Sequence, residues 1–200
     1  RNMILGITGS FGSGKTTVAQ IFRKYGYKII NAEKIGHQQY DKTSIKDKVI
    51  KKFGKKILTN GKIDRNKLKK IVFYNKKELK KLNKIMWPEI IREIKSIIKK
   101  SGKKVVIDAA ILIEAKALSL VDKLVVAKID KKIQMKRLIK KGKYTKQEIK
   151  NILSSQLPQN KKLKYADYVI DNRKSIKHTE EQVKRVVRAL ASRQTSKKNQ

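Results

Sequence analysis

The sequence predicts an α/β fold: a parallel five-stranded sheet with helices on both faces, plus a helical insertion and a helical lid. Three observations predict it. Short, nearly continuous apolar runs alternate with helical patterns along the chain, as they do in strands buried on both faces. The first run, Met3-Ile-Leu-Gly-Ile-Thr8, leads into the glycine-rich loop Gly9-Ser-Phe-Gly-Ser-Gly-Lys-Thr16 and then into helical periodicity. The stretch 32–103, between the second and third runs, is too long for a plain crossover and reads as several helices.

Each element has its own signal. The first strand is the run ending at Thr8, and the first helix continues through Thr17-Val-Ala-Gln-Ile-Phe-Arg-Lys24. Tyr27-Lys-Ile-Ile30 is the second strand. Within the insertion, Asp64 is an N-cap for a helix through Phe73, and Lys76 to Met86 forms another. Pro88 suits the first turn of a third helix that runs to about Lys100, where Ser101-Gly102 stops it. Val105-Val-Ile-Asp108 and Lys123-Leu-Val-Val-Ala127 are the third and fourth strands. Two amphipathic helices, Lys131 to Lys140 and Lys146 to Ser155, follow, joined by Lys141-Gly-Lys-Tyr-Thr145. Thr145 and Glu148 have capping-box spacing. This helical hairpin is expected to close over bound ligand. Tyr168-Val-Ile-Asp171 is the fifth strand. The last helix, about Ser175 to Ala191, places Val183, Val186, Val187 and Leu190 on one face, and the polar tail from Ser192 is expected to fray. The expected division is a core of residues 1–31, 104–130 and 166–195, an acceptor-binding region at 32–103, a lid at 131–165 and a tail at 196–200. Arg1-Asn2 are set aside from the fold argument.

Composition narrows the classes. The 200-residue length suits one domain with a small subdomain, and 39% hydrophobic residues suffice for a core. The absence of cysteine excludes disulfides and thiol chemistry and fits a cytoplasmic protein. No apolar run reaches the roughly 20 residues that cross a bilayer, and no signal-peptide pattern is present, so no membrane partner is expected. The formal charge of +37 is spread over almost every segment, and lysine greatly outnumbers arginine. That pattern favours general lysine enrichment over a dedicated nucleic-acid surface. Zinc-ligand spacings are absent.

The glycine loop has the form G-x-x-x-x-G-K-[ST], in the strand–loop–helix setting that gives the motif its meaning. Gly12, Ser13, Gly14, Lys15, Thr16 and Thr17 can surround nucleoside triphosphate phosphates with backbone N–H groups. Lys15 can reach the β- and γ-phosphates, and the Thr16 hydroxyl can ligate Mg²⁺. Glu33 follows the second strand, where strand ends face the ligand crevice. It reads either as a proton acceptor and water-mediated Mg²⁺ partner or as a helix N-terminal acid favoured by the macrodipole. Asp108, closing the third strand, reads as a Mg²⁺ partner through water or as a loop cap. Arg137 reads as a phosphate contact or a solvated helix face, and Trp87 as packing or as a cleft wall. His178 reads as a surface residue.

Five blocks, spanning residues 3 to about 190, resemble the bacterial dephospho-coenzyme A kinase family. They are Ile7-Thr-Gly-Ser-Phe-Gly-Ser-Gly-Lys-Thr-Thr17; Asn31-Ala-Glu-Lys-Ile-Gly-His37; Phe53-Gly54 with Gly61-Lys-Ile-Asp-Arg-Asn-Lys-Leu68; Asp108-Ala-Ala-Ile-Leu-Ile-Glu114; and Gln156 with Ala166-Asp-Tyr-Val-Ile-Asp-Asn172. The resemblance implies a P-loop kinase that phosphorylates the ribose 3′-hydroxyl of dephospho-coenzyme A from ATP with Mg²⁺. It implies Lys15 and Glu33 as catalytic residues and Lys141 as a lid contact to nucleotide. It implies Glu33, His37, Asp108 and Glu114 on the substrate side. A monomer or small homo-oligomer is expected. Departures from the family pattern stand out. Asn31 and Glu33 replace an acidic Asp pair, Trp87-Pro88 replaces His-Pro, Ala110 replaces a proline and Lys141 replaces an arginine. Another small-molecule kinase of the same fold, and a basic nucleic-acid-binding NTPase, are the competing readings.

Overall fold

A computed structural model describes residues 3–102 and 104–196, with side chains described to residue 192; Arg1, Asn2 and residues 197–200 lie outside the described residues. In chain order the elements are β1 (Met3–Thr8), α1 (Lys15–Arg23), β2 (Lys28–Asn31), α2 (Ala32–Gln39) and α3 (Thr43–Phe53). A short hairpin, β3 (Leu58–Thr59) and β4 (Lys62–Ile63), precedes α4 (Arg65–Val72) and α5 (Lys76–Lys99). Then come β5 (Lys104–Asp108), β6 (Lys123–Lys128), α6 (Lys131–Lys140), α7 (Lys146–Ser155), α8 (Gln159–Leu163), β7 (Tyr168–Asp171) and α9 (Ile176–Ser196).

The main sheet has the order β2-β5-β1-β6-β7, and every pairing in it is parallel. Alternate residues feed two separate cores, as expected for strands covered on both faces. Leu5, Ile7, Val106, Val125 and Ala127 pack with Phe22 of α1 and with Val183, Val186 and Leu190 of α9. Val105, Ile107, Leu124 and Val126 face the other way, toward α2–α5. The helical insertion is thus built on the sheet through Ile35, Ile45, Val49, Leu68, Met86 and Ile94, all buried.

Helices α6 and α7 have the bounds read from the sequence, and the Thr145–Glu148 capping box is formed. Asp64 caps α4, accepting from the amides of Asn66 and Lys67. Three features differ from expectation. Residues 76–99 form one continuous helix with Pro88 inside it, not two helices. Leu82, Met86, Ile90 and Ile94 make one buried stripe across the proline. Pro88 and Lys84 are both exposed, so water can replace the donor that the Lys84 carbonyl loses. A hairpin, β3–β4, lies within the insertion, turned by Asn60 and Gly61, both at positive φ. Finally, α9 continues to Ser196 rather than fraying at Ser192. Among the described residues no helix is long and apolar enough to cross a membrane.

Candidate active site

The carboxyl ends of β1, β2 and β5 converge, with Asn31 and Ile7 both in register with Asp108. Ligands of open α/β sheets bind at such a crevice. The glycine loop leaves β1 there and turns into α1. Gly14, the N-cap of α1, has φ 82° and Gly12 has φ 78°, conformations suited to glycine. Space is also short: a Cβ on Gly12 would lie 2.7 Å from Leu138 of α6, and one on Gly14 would overlap the Asn172 amide nitrogen.

Side chains from remote segments fix the loop. Gln134 of α6 donates to Ser10 Oγ at 2.9 Å and to the Phe11 carbonyl at 2.6 Å. The Phe11 amide donates to Gln156 Oε1 at 2.8 Å. Asn172 donates to the Ser13 carbonyl at 2.9 Å and accepts from Thr179 Oγ1 at 2.8 Å. Arg137 donates to the Asn172 carbonyl at 2.9 Å, which seats this α6 cation beside the loop. Meanwhile α1 has no side-chain cap and no acid in its first turn. Its leading amides, at Lys15, Thr16 and Thr17, have no intrahelical acceptor and sit at the positive end of the helix dipole, an arrangement suited to an anion.

Asp108 is buried beside them. Its Oδ2 accepts from Thr16 Oγ1 at 2.9 Å and from Asn31 Nδ2 at 3.1 Å, while Oδ1 is buried with no hydrogen-bond partner. Burial pushes its carboxyl above the ordinary value, against the pull of Lys15 and the two hydrogen bonds. Asn31 turns its other end to the chain, accepting from the Lys34 amide at 2.8 Å to cap α2. One amide therefore bridges the buried acid and the helix that carries Glu33. Among the described residues no group of three or more His, Asp or Glu could hold a metal by itself. The donors present, one hydroxyl and one buried carboxylate with a free oxygen, fit Mg²⁺ shared with substrate phosphates.

A cleft of about 310 Å³ runs from this point beneath the insertion. Lys15, Asn31, Glu33 and Asp108 line its sheet end. Leu68, Leu82, Met86, Trp87 and Ile90 give it an apolar wall, and His37, Arg65 and Lys69 a cationic one. Glu33 lies in the first turn of α2, with Oε1 4.0 Å from His37 Nε2 one turn on. Burial lowers the His37 pKa, as do Arg65 and Lys69, with Glu33 opposing them. Burial also pushes the Tyr40 phenol up to about 12.

Not every expected residue reaches the cleft. Glu114 is absent from its lining and instead pairs with Lys162 at 2.7 Å. The acid closes the loop that follows β5, and a buried ammonium takes it up before a ligand can. Lys141 is exposed at the C-terminal end of α6 and does not line the cleft either. Conversely, Arg65, Lys69 and Tyr144 do line it, and Gln134 and Lys162 hold its frame.

A sheet wound this way, with its phosphate-binding turn opening into a cleft roofed by inserted helices, defines a P-loop kinase. Comparisons with known proteins narrow the class. The family model described as dephospho-CoA kinase matches residues 3–178, and the chain belongs to that family. It is 40% identical over 207 aligned positions to a dephospho-CoA kinase of Carboxydothermus hydrogenoformans, covering 98% of each chain. It is 38% identical to the corresponding protein of Fusobacterium nucleatum, covering 92% of this chain and 96% of that one. The solved structure of dephospho-CoA kinase from Campylobacter jejuni superposes with a TM-score of 0.67 at 30% identity, covering 94% of this chain and 97% of that one.

Proposed function

We propose that the protein transfers the γ-phosphoryl group of ATP to the ribose 3′-hydroxyl of dephospho-coenzyme A, giving coenzyme A and ADP. One observation carries this reading: a single cleft brings Lys15 of the phosphate loop and the helix-borne carboxylate of Glu33 together at its sheet end, with the cationic wall of His37, Arg65 and Lys69 beyond them. The γ-phosphorus bonds to the 3′-oxygen as its bond to the β,γ-bridging oxygen breaks. The hydroxyl proton passes to Glu33, whose side chain is 75% exposed and open to the cleft. Lys15 and the amides opening α1 hold the β- and γ-phosphates, so little beyond positioning and charge stabilisation is required. Mg²⁺, when bound, neutralises charge on the transferring group; Thr16 would hold it directly and Asp108 through water. The apolar wall suits the uncharged part of the acceptor, and His37, Arg65 and Lys69 suit its phosphates. In this reading residues 32–103 hold the acceptor and α6–α7 form the lid.

The test is ADP release with and without dephospho-coenzyme A, using wild type, Lys15→Ala and Glu33→Ala. Lys15→Ala is expected to abolish turnover. Glu33→Ala is expected to lower kcat on the order of 10²-fold with a smaller change in the KM for ATP. ADP release that responds to a different alcohol and not to dephospho-coenzyme A would overturn the reading, and an unimpaired Glu33→Ala would remove the base.

A further inference from the structure

Three pieces of chain meet at one aromatic ring. Tyr144, in the link between α6 and α7, meets Phe11 of the phosphate loop edge to face, with ring centroids 5.3 Å apart at 90°. The Lys69 ammonium, on α4 of the insertion, lies 5.7 Å from the centre of the same Tyr144 ring. All three residues line the cleft. The grip on Phe11 is double. Tyr144 directly precedes the N-cap of α7 and touches the Phe11 ring; Gln156, just past the end of α7, accepts from the Phe11 amide. Both ends of one lid helix therefore hold the same loop residue.

We propose that Tyr144 is a positioning residue for phosphoryl transfer, the contact that shuts the lid across the space between nucleotide and acceptor. Its ring bridges loop, lid and insertion through an edge-to-face contact and a cation–π contact. With the ring in place, water is kept from the γ-phosphate and the acceptor hydroxyl is the nucleophile that remains. This rests on the kinase reading above. The ring is what matters: neither contact uses the phenolic hydroxyl.

The experiment compares wild type with Tyr144→Ala and Tyr144→Phe. The link carries Lys141 and Lys143, so trypsin reports lid closure directly, with no acceptor present. Tyr144→Ala is expected to be cut there several-fold faster than wild type, and Tyr144→Phe at the wild-type rate. In the transfer reaction, Tyr144→Ala is expected to release several ADP per coenzyme A formed, while wild type and Tyr144→Phe release one. A general loss of packing would not change that ratio, and the thermal midpoints of the three proteins check for it. Unchanged cleavage and unchanged stoichiometry in Tyr144→Ala would overturn the proposal, as would a Tyr144→Phe as defective as Tyr144→Ala. Failure of the kinase reading looks different: wild type itself would form no coenzyme A, while the cleavage comparison would still report on the contact.

Discussion

The Lys162 ammonium, wholly buried, donates to both carboxylate oxygens of Glu114, at 2.7 and 3.0 Å. It also donates to the Ala110 carbonyl at 2.6 Å, which accepts from Thr8 Oγ1 as well. Glu114 in turn accepts from the Leu157 amide at 2.8 Å. The end of β1, the loop after β5 and the segment after α7 thus share one polar knot. Burial pushes the Lys162 ammonium below its ordinary pKa, and Glu114 pulls it back.

Removing one partner should cost more than removing both. Lys162→Met strands the Glu114 carboxylate; a fully buried pair would lose about 3–5 kcal/mol, and with the Glu114 side chain 22% exposed the lower end applies. At roughly 2–4 °C per kcal/mol for a domain of this size, Tm should fall on the order of 10 °C. Adding Glu114→Gln should recover part of that loss. Thermal unfolding of the two singles and the double measures the coupling. A Lys162→Met protein that melts with wild type would show that the pair contributes nothing.

Gly14→Ala meets two penalties. Its left-handed conformation costs an alanine roughly 1–2 kcal/mol, and the new methyl group overlaps the Asn172 side chain. The destabilisation should therefore exceed the conformational cost alone. Asn172→Ala relieves the overlap but also frees the Ser13 carbonyl. The double variant should be less destabilised than the sum of the singles, as read from urea unfolding. Simple additivity would show that the two side chains do not compete.

Acid should weaken the fold through His37. Its folded pKa lies below the ordinary 6.5, so the unfolded chain binds the proton first. Stability from this group is fully present above pH 6.5 and is lost as pH falls toward the folded value. Urea unfolding at pH 7.5 and 5.5 should show a larger acid loss for wild type than for His37→Gln. Equal losses would remove His37 as the source. The same protonation adds charge beside Arg65 and Lys69, so the KM of an anionic acceptor should fall over that window in wild type only.

Much of this was legible in residue order. The apolar runs at β5 and β6 mark strands because parallel burial leaves no polar alternation, and Thr145 with Glu148 marks a helix start because both partners of the box are local. Pro88 misled because the decisive factor, a buried stripe continuing from Leu82 to Ile94, is tertiary. The hairpin at 58–63 had its signal in Asn60-Gly61, but its strands are two residues each, too short for a periodic pattern. At the site, the loop, Glu33 and Asp108 were legible because their chemistry is tied to one motif or one strand end. Gln134 and Lys162 were not. Each acts on a partner at least 48 residues away, and in a lysine-rich chain nothing local separates a buried lysine from a solvated one.

The position of β1 has a consequence for how the molecule comes into being. The first strand lies between β5 and β6, with Ile4 beside Val105 and Gly6 beside Leu124. A chain still on the ribosome cannot seat that strand until both neighbours have emerged, and its glycine loop lacks the clasp on the Ser13 carbonyl until Asn172 follows. A nucleotide held by that loop would therefore stabilise a chain that has reached Asn172 more than one that stops short of it, a late inspector of completeness rather than an early guide to folding.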